Sequence, residues 1–221
     1  MTRTIPWSRI RLLIIDLDNT LCDTLHTLSH PQWRKVEKAF IRKGWISEAR
    51  VVHKEFGKQG FLRTLQDAKL TEEQVRLAIR VYDQVDIRPL RLFRDARYLL
   101  DVPLPKTLIS RGEPSLQRRK IAHLRIRHCF DEIRIISTFK DKEDAIRAAL
   151  REHRVRPSEA LVIGDRVEEE ITAARRLRVP CVLVRRPDWS VGNHRVTPDL
   201  TVRDLRIVSR RLSGARLKNP R

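Results

Sequence analysis

Long apolar runs, glycine, cysteine and aromatic side chains are all scarce in this chain of 221 residues. No apolar stretch approaches the roughly 20 residues that cross a bilayer as a helix, so no membrane partner is expected. With only 7 glycines, nothing in the composition has the character of a low-complexity segment. The three cysteines, Cys22, Cys129 and Cys181, lie far apart. They lack metal-ligand spacing and cannot build a disulfide framework, which suits a reducing, cytoplasmic setting. Met1 to Ile10 carries two arginines but no apolar core or cleavage signature, and is not expected to be a secretion signal.

Acidic residues are also few beside the basic ones, 28 against 47, for a formal net charge of +19. Such a chain attracts polyanions through counterion release, so nucleic acid is retained as one partner class. The basic residues are nevertheless spread along the whole sequence, as on a solvated surface. The one concentrated stretch is Arg203 to Arg221, with seven basic residues and one acid. From residue 210 onward it reads as a basic C-terminal tail or frayed helix.

What stands out is Asp16-Leu17-Asp18-Asn19-Thr20, directly after the apolar run Leu12-Leu13-Ile14-Ile15. A short run of this kind reads as a strand buried on both faces. Two carboxylates two residues apart at its carboxyl end would project where open α/β sheets bind ligands. Two negative charges held there need compensation, so the site implies either a divalent metal or a tuned acid/base pair. Cys22 is near enough in sequence to line such a site, but also reads as a small core residue.

From Lys106 onward strand, loop and helix alternate. Strands are expected at Thr107 to Ile109, Ile133 to Ile136, Ala160 to Ile163 and Cys181 to Val184. Helices are expected at Ser115 to Arg125, Asp141 to His153 and Ile171 to Leu177. This pattern predicts an α/β fold, a Rossmann-like parallel sheet core flanked by helices. Between residues 23 and 89 no strand is evident. Gln32 to Arg42, Ser47 to Phe56 and Thr71 to Val85 read as helices, the last with a Thr71/Gln74 capping box. The expected organisation is therefore a core of residues 1–22 and 90–209, an inserted all-helical cap at 23–89, and the tail 210–221. An insertion of this length is too long for an ordinary loop and is expected to act as a lid.

Four polar positions follow predicted strands: Asp16 with Asp18, Ser110, Lys140 and Asp165. In a parallel sheet they lie on one edge. Phosphoryl transfer through a carboxylate needs a nucleophilic acid, a second acid for proton transfer, a hydroxyl and an amine for the phosphoryl oxygens, and a hard divalent ion.

With these residues the chain resembles the haloacid dehalogenase (HAD) superfamily, in its phosphatase branch with a C1-type helical cap, over residues 10–205. The first family motif, D-x-D-x-T, is matched in full by Asp16 to Thr20. Ser110, within Leu108-Ile109-Ser110-Arg111-Gly112, matches the second. Lys140 matches the third, with Lys142 as the alternative. Gly164-Asp165-Arg166-Val167-Glu168-Glu169-Glu170 matches the fourth, with glutamate where the family usually has a later aspartate.

The resemblance implies Asp16 as nucleophile and metal ligand, and Asp18 as general acid/base that lends the metal its backbone carbonyl. Thr20 would brace the loop, and Ser110, the backbone N–H of Arg111 and Lys140 would hold phosphate. Asp165 would bind Mg²⁺, and Glu170, or Glu169, would stand in its outer shell. The presence of Asp18 argues for phosphate esters over carbon–halogen bonds. The expected activity is Mg²⁺-dependent phosphomonoester hydrolysis of a small phosphorylated metabolite, a sugar phosphate or nucleotide. A phosphatase acting on polynucleotide ends and a non-catalytic HAD-like binding protein are the alternatives.

Overall fold

The computed structural model describes residues 4–55, 64–65, 67–137, 141–186 and 196–217. The apolar run after Arg11 becomes β1 (Leu12–Ile15), buried at every position. Next to it lie β2 (Lys106–Arg111), buried up to its last residue, and β4 (Ala160–Gly164), buried throughout. With β3 (Glu132–Ile136), β5 (Cys181–Val184) and β6 (Leu200–Val202) they form one sheet in the order β3-β2-β1-β4-β5-β6. Every pairing is parallel. Leu/Ile/Val runs dominate β1, β4 and β5 because both faces of a parallel sheet are covered by its crossover helices. The edge strands β3 and β6 are only partly buried. Three-residue β6 escaped the sequence reading for that reason: it lacks an apolar run.

The register fixes what meets at the carboxyl edge. Ile15 pairs with Leu108 on one side and Ile163 on the other. Two residues further along, each strand has delivered Ser110 or Asp165 next to the loop that begins at Asp16. Strand order reverses between β1 and β4, the switch point where ligands bind in open α/β sheets. Beneath this edge, Ile14, Ile109, Ile146, Val162, Ile171 and Leu183 belong to one buried apolar cluster.

In the described residues the crossover helices are α5 (Pro114–His123), α6 (Asp141–Glu152) and α7 (Thr172–Arg176). A π-helical turn, Val167–Ile171, leads into α7. Helix α4 (Ala96–Leu100) precedes β2, and α8 (Arg206–Leu217) follows β6. Helix α8 runs through position 210, from which the sequence reads as a basic tail or a frayed helix. Val208 and Leu212 are buried, so the stretch is helical as far as Leu217 because one face is apolar.

The chain divides into two compact units, residues 1–22 with 91–221, and residues 23–90. The second unit is helical where it is described. It contains α1 (His30–Arg42), α2 (Ile46–Glu55) and α3 (Glu72–Asp83). Trp33, Val36, Phe40, Ala49, Val52, Leu65 and Ala78 make its own core, as expected of side chains at helical spacing. Helix α3 begins with the Thr71/Gln74 capping box. Gly44, at φ +78°, turns the chain between α1 and α2, a conformation glycine adopts without steric cost. Among the described residues no helix is long and apolar enough to cross a membrane.

Candidate active site

Asp16 leaves β1 with its backbone N–H donating to the Ile163 carbonyl at 3.0 Å, so the position of its side chain is tied to the sheet. The loop then closes tightly. Leu21 and Cys22 both donate backbone N–H groups to the Leu17 carbonyl. Asn19 takes φ 60°, a left-handed conformation that asparagine tolerates better than most residues. The Thr20 hydroxyl donates to Asp16 Oδ2 at 3.3 Å. Cys22 is fully buried and its thiol faces the Leu17 carbonyl, a packing position within the loop.

The lysine beside Asp16 is Lys142. Its Nζ lies 3.0 Å from Asp16 Oδ1, 3.0 Å from the Ile109 carbonyl and 2.6 Å from Glu170 Oε1. Lys140 lies outside the described residues. Helix α6 starts just before Lys142, and its apolar face carries Ala145, Ile146 and Ala149 into the core. Lys142 belongs to that inward face, which is why a long cation is only 1% exposed.

The acidic run after β4 separates into two roles. Glu170 pairs with Lys142 and accepts the Arg166 backbone N–H at 3.1 Å. Glu169 instead forms a two-pronged ion pair with Arg111, at 2.8 and 3.0 Å. The Arg111 side chain is therefore engaged on a carboxylate. Both glutamates sit on the π-helical turn and both are buried. Gly164 makes room for Glu170, since a Cβ there would fall 2.2 Å from Glu170 Cγ.

Asp18 is gripped through both oxygens. Lys120 Nζ is 2.8 Å from Oδ1, and Gln117 Nε2 is 2.6 Å from Oδ2. Gln117 Nε2 also stands 2.6 Å from Ser110 Oγ and 2.9 Å from the Arg111 carbonyl. The direct Ser110–Asp18 separation, 3.5 Å, is too long to count for much. Gln117 and Lys120 were not singled out from the sequence. The available signal was positional: Lys120 lies between Leu116 and Ile121 on the buried stripe of its helix, where an apolar residue is expected.

Asp16, Asp165 and Glu170 lie close enough for each charge to act on the others. The Asp16 carboxyl is pushed up to about 7. Burial is the chief cause; Lys142 opposes it, while Glu170 and Asp18 reinforce it. Asp165 is raised well above the carboxylate range by burial, with the charges of Asp16 and Glu170 adding to it. For the Lys142 ammonium burial works downward, but Glu170 and Asp16 outweigh it and hold the group above its ordinary value. For Glu169 burial works upward, but Arg111, Lys142 and Arg166 hold the carboxyl below its usual value.

This arrangement suits a cation. Among the described residues Asp165 Oδ2 is buried with no hydrogen-bond partner, and such an atom is costly unless something satisfies it. Acids raised by one another's charge are relieved by a positive ion. Among the described residues no three acidic, histidine or cysteine side chains form a ready-made metal cage. Magnesium does not require one, since it takes one or two carboxylates and keeps several waters.

The family model for haloacid dehalogenase-like hydrolases matches residues 10–178. The chain belongs to this family. A glyceraldehyde 3-phosphate phosphatase from Pyrococcus furiosus is 27% identical over 195 residues, 79% of this chain and 80% of that protein. Among solved structures, a haloacid dehalogenase-like hydrolase from Streptococcus pneumoniae superposes with a TM-score of 0.70 at 22% identity. The match covers 91% of this HAD hydrolase and 97% of the other chain. The magnesium-bound HAD-hydrolase YfnB of Bacillus subtilis gives 0.64 at 14% identity, covering 92% and 99%. At these identities the two structures establish the shared fold.

Proposed function

We propose that this HAD hydrolase is a Mg²⁺-dependent phosphomonoesterase that works through an aspartyl-phosphate on a small phosphorylated metabolite. The observation that carries the reading is Asp16 directly after the central strand with Lys142 against one oxygen, Asp18 two residues on, and Asp165 Oδ2, without a hydrogen-bond partner among the described residues, in the same acidic cluster. A carboxylate fixed at the end of a buried strand against a buried ammonium has the rigid placement that in-line attack on phosphorus requires.

In the first half-reaction an Asp16 oxygen attacks phosphorus, and the bond to the ester oxygen breaks. Asp18 donates its proton to the departing alkoxide, so the alcohol leaves neutral. Ser110 and Lys142 donate to the phosphoryl oxygens as their charge redistributes, and Glu170 holds Lys142 in place. In the second half-reaction Asp18, now ionised, takes a proton from water. The resulting hydroxide attacks phosphorus and releases Asp16 and inorganic phosphate. Mg²⁺ held by Asp16, Asp165 and the Asp18 carbonyl would keep Asp16 ionised and neutralise phosphate charge. Lys142 is assigned the phosphate-binding role in place of Lys140, and Glu170 keeps the outer-shell role, Glu169 being engaged by Arg111.

The name of the Pyrococcus relative supports a small sugar phosphate as the substrate class. The helical unit leaves the core directly after Cys22 and returns at Arg91, and substrate selection is assigned to it. The test is a panel of phosphorylated metabolites, glyceraldehyde 3-phosphate among them, assayed for phosphate release with Mg²⁺. Wild type should hydrolyse at least one ester, and Asp16→Asn should lose about a thousandfold or more in rate with its fold intact. Retained activity in Asp16→Asn removes the assigned nucleophile. Failure of wild type on every ester favours a non-catalytic HAD-like binding protein.

A further inference from the structure

We propose that Gln117 and Lys120, one turn apart on α5, are positioning residues for Asp18 that set the direction in which its proton is delivered to the leaving oxygen. The inference rests on the reading of Asp18 as the general acid/base.

The geometry is specific on three counts. First, the two side chains address different oxygens of one carboxylate, Lys120 at Oδ1 and Gln117 at Oδ2, at 2.8 and 2.6 Å. A carboxylate held at both oxygens cannot rotate about its last bond, whereas one contact alone would leave that torsion broad. Second, both donors are themselves fixed. Gln117 is 1% exposed and Lys120 4%, so their chains are packed rather than solvated. Helix α5 is anchored at its start by Pro114 and by the Glu113 carboxylate, which accepts the Leu116 backbone N–H at 2.7 Å. Third, the strand end is shaped to admit Gln117. Gly112 takes φ +152°, and a Cβ on it would stand 3.1 Å from Gln117 Cδ. The same amide nitrogen reaches Ser110 Oγ and the Arg111 carbonyl. It therefore ties the acid to the proposed phosphate-binding hydroxyl through a single rigid group.

The Asp18 side chain keeps 23% of its surface accessible while Lys120 keeps 5%. The acid thus faces outward from a buried clamp, which is the arrangement a proton donor to a bound ester needs. Proton transfer falls steeply with misalignment: a displacement of about 1 Å can cost about a hundredfold. Loss of the clamp should act on the step that needs the proton and leave the rest intact.

The test compares kcat/KM, which reports the reaction up to departure of the leaving group, on two esters with Mg²⁺ present. One is the best alkyl phosphate from the metabolite panel, whose alkoxide needs a proton. The other is 2,4-dinitrophenyl phosphate, whose phenolate leaves without one. Lys120→Met should lower kcat/KM on the alkyl ester by about 10- to 100-fold and on the dinitrophenyl ester by less than about threefold. Lys120→Gln, which keeps a neutral donor, should fall between wild type and Lys120→Met. It carries the same comparison if Lys120→Met does not fold by circular dichroism. Equal losses on both esters, or no loss on the alkyl ester, would overturn the proposal. Asp18→Asn run in parallel separates the two levels. If it shows the leaving-group dependence and the Lys120 variants do not, only the positioning role falls. If it shows none, the acid assignment falls as well.

Discussion

Replacing Lys142 by Met would exchange a buried ammonium for an apolar chain of similar length. The cation is 1% exposed and serves Asp16 Oδ1 at 3.0 Å, Glu170 Oε1 at 2.6 Å and the Ile109 carbonyl at 3.0 Å. Its loss strands two buried carboxylates and one carbonyl together. Breaking a buried ion pair from one side typically costs about 3–5 kcal/mol. In a chain of this size that is a fall in melting temperature of about 6–20 °C.

The penalty depends on pH in a definite direction. Asp16 is raised from 3.8 in the unfolded chain to about 7 in the fold. A group with a raised folded value adds stability that is full below its unfolded value and lost as pH climbs through the folded one. Lys142 is the influence that lowers the Asp16 value, so in Lys142→Met Asp16 keeps its proton to still higher pH. Near pH 5.5 Asp16 is mostly protonated in both proteins, and the gap narrows to the unpaired Glu170 and the carbonyl. At pH 8 wild type holds an ionised, paired Asp16, while the variant must protonate it or bury a bare charge. Urea unfolding with a metal chelator at pH 5.5 and pH 8, followed by circular dichroism, measures both gaps. A gap below about 1 kcal/mol at pH 8, or one that is larger at pH 5.5, would refute the reasoning.

Two further outcomes follow from the same cluster. Gly164→Ala would push a methyl group into Glu170 Cγ and dislodge the glutamate from Lys142. Overpacking of this kind costs about 1–3 kcal/mol, so a denaturation midpoint equal to wild type would show that Glu170 yields freely. Asp165→Asn should abolish the rise in melting temperature that added Mg²⁺ gives wild type at pH 8. Without metal the variant should be as stable as wild type or more so, because a buried acid raised by its neighbours has been removed. An undiminished Mg²⁺ shift in Asp165→Asn would place the ion elsewhere.

Local chemistry alone determined much of this protein. Strands β1, β4 and β5 were legible because a parallel strand buried on both faces must be written in consecutive Leu, Ile and Val. The Thr71/Gln74 cap was legible because its two hydrogen bonds span only three residues. D-x-D-x-T was legible because both acids and the bracing threonine occupy one loop. What the sequence could not decide was any choice that depends on register or helix phase. Lys140 and Lys142 are equivalent neighbours on paper, and only the packing of Ala145, Ile146 and Ala149 carries Lys142 to an acid 126 positions away. Glu169 and Glu170 differ by one residue, but a π-helical turn sends one to Arg111 and the other to Lys142. Lys120 on the apolar stripe of its helix is out of place on paper, but what it and Gln117 meet is decided only when β2 is laid beside β1 and their stripe reaches Asp18. Composition and short-range pattern dictate which elements form. Long-range approach, set by sheet order and core packing, decides which side chains meet.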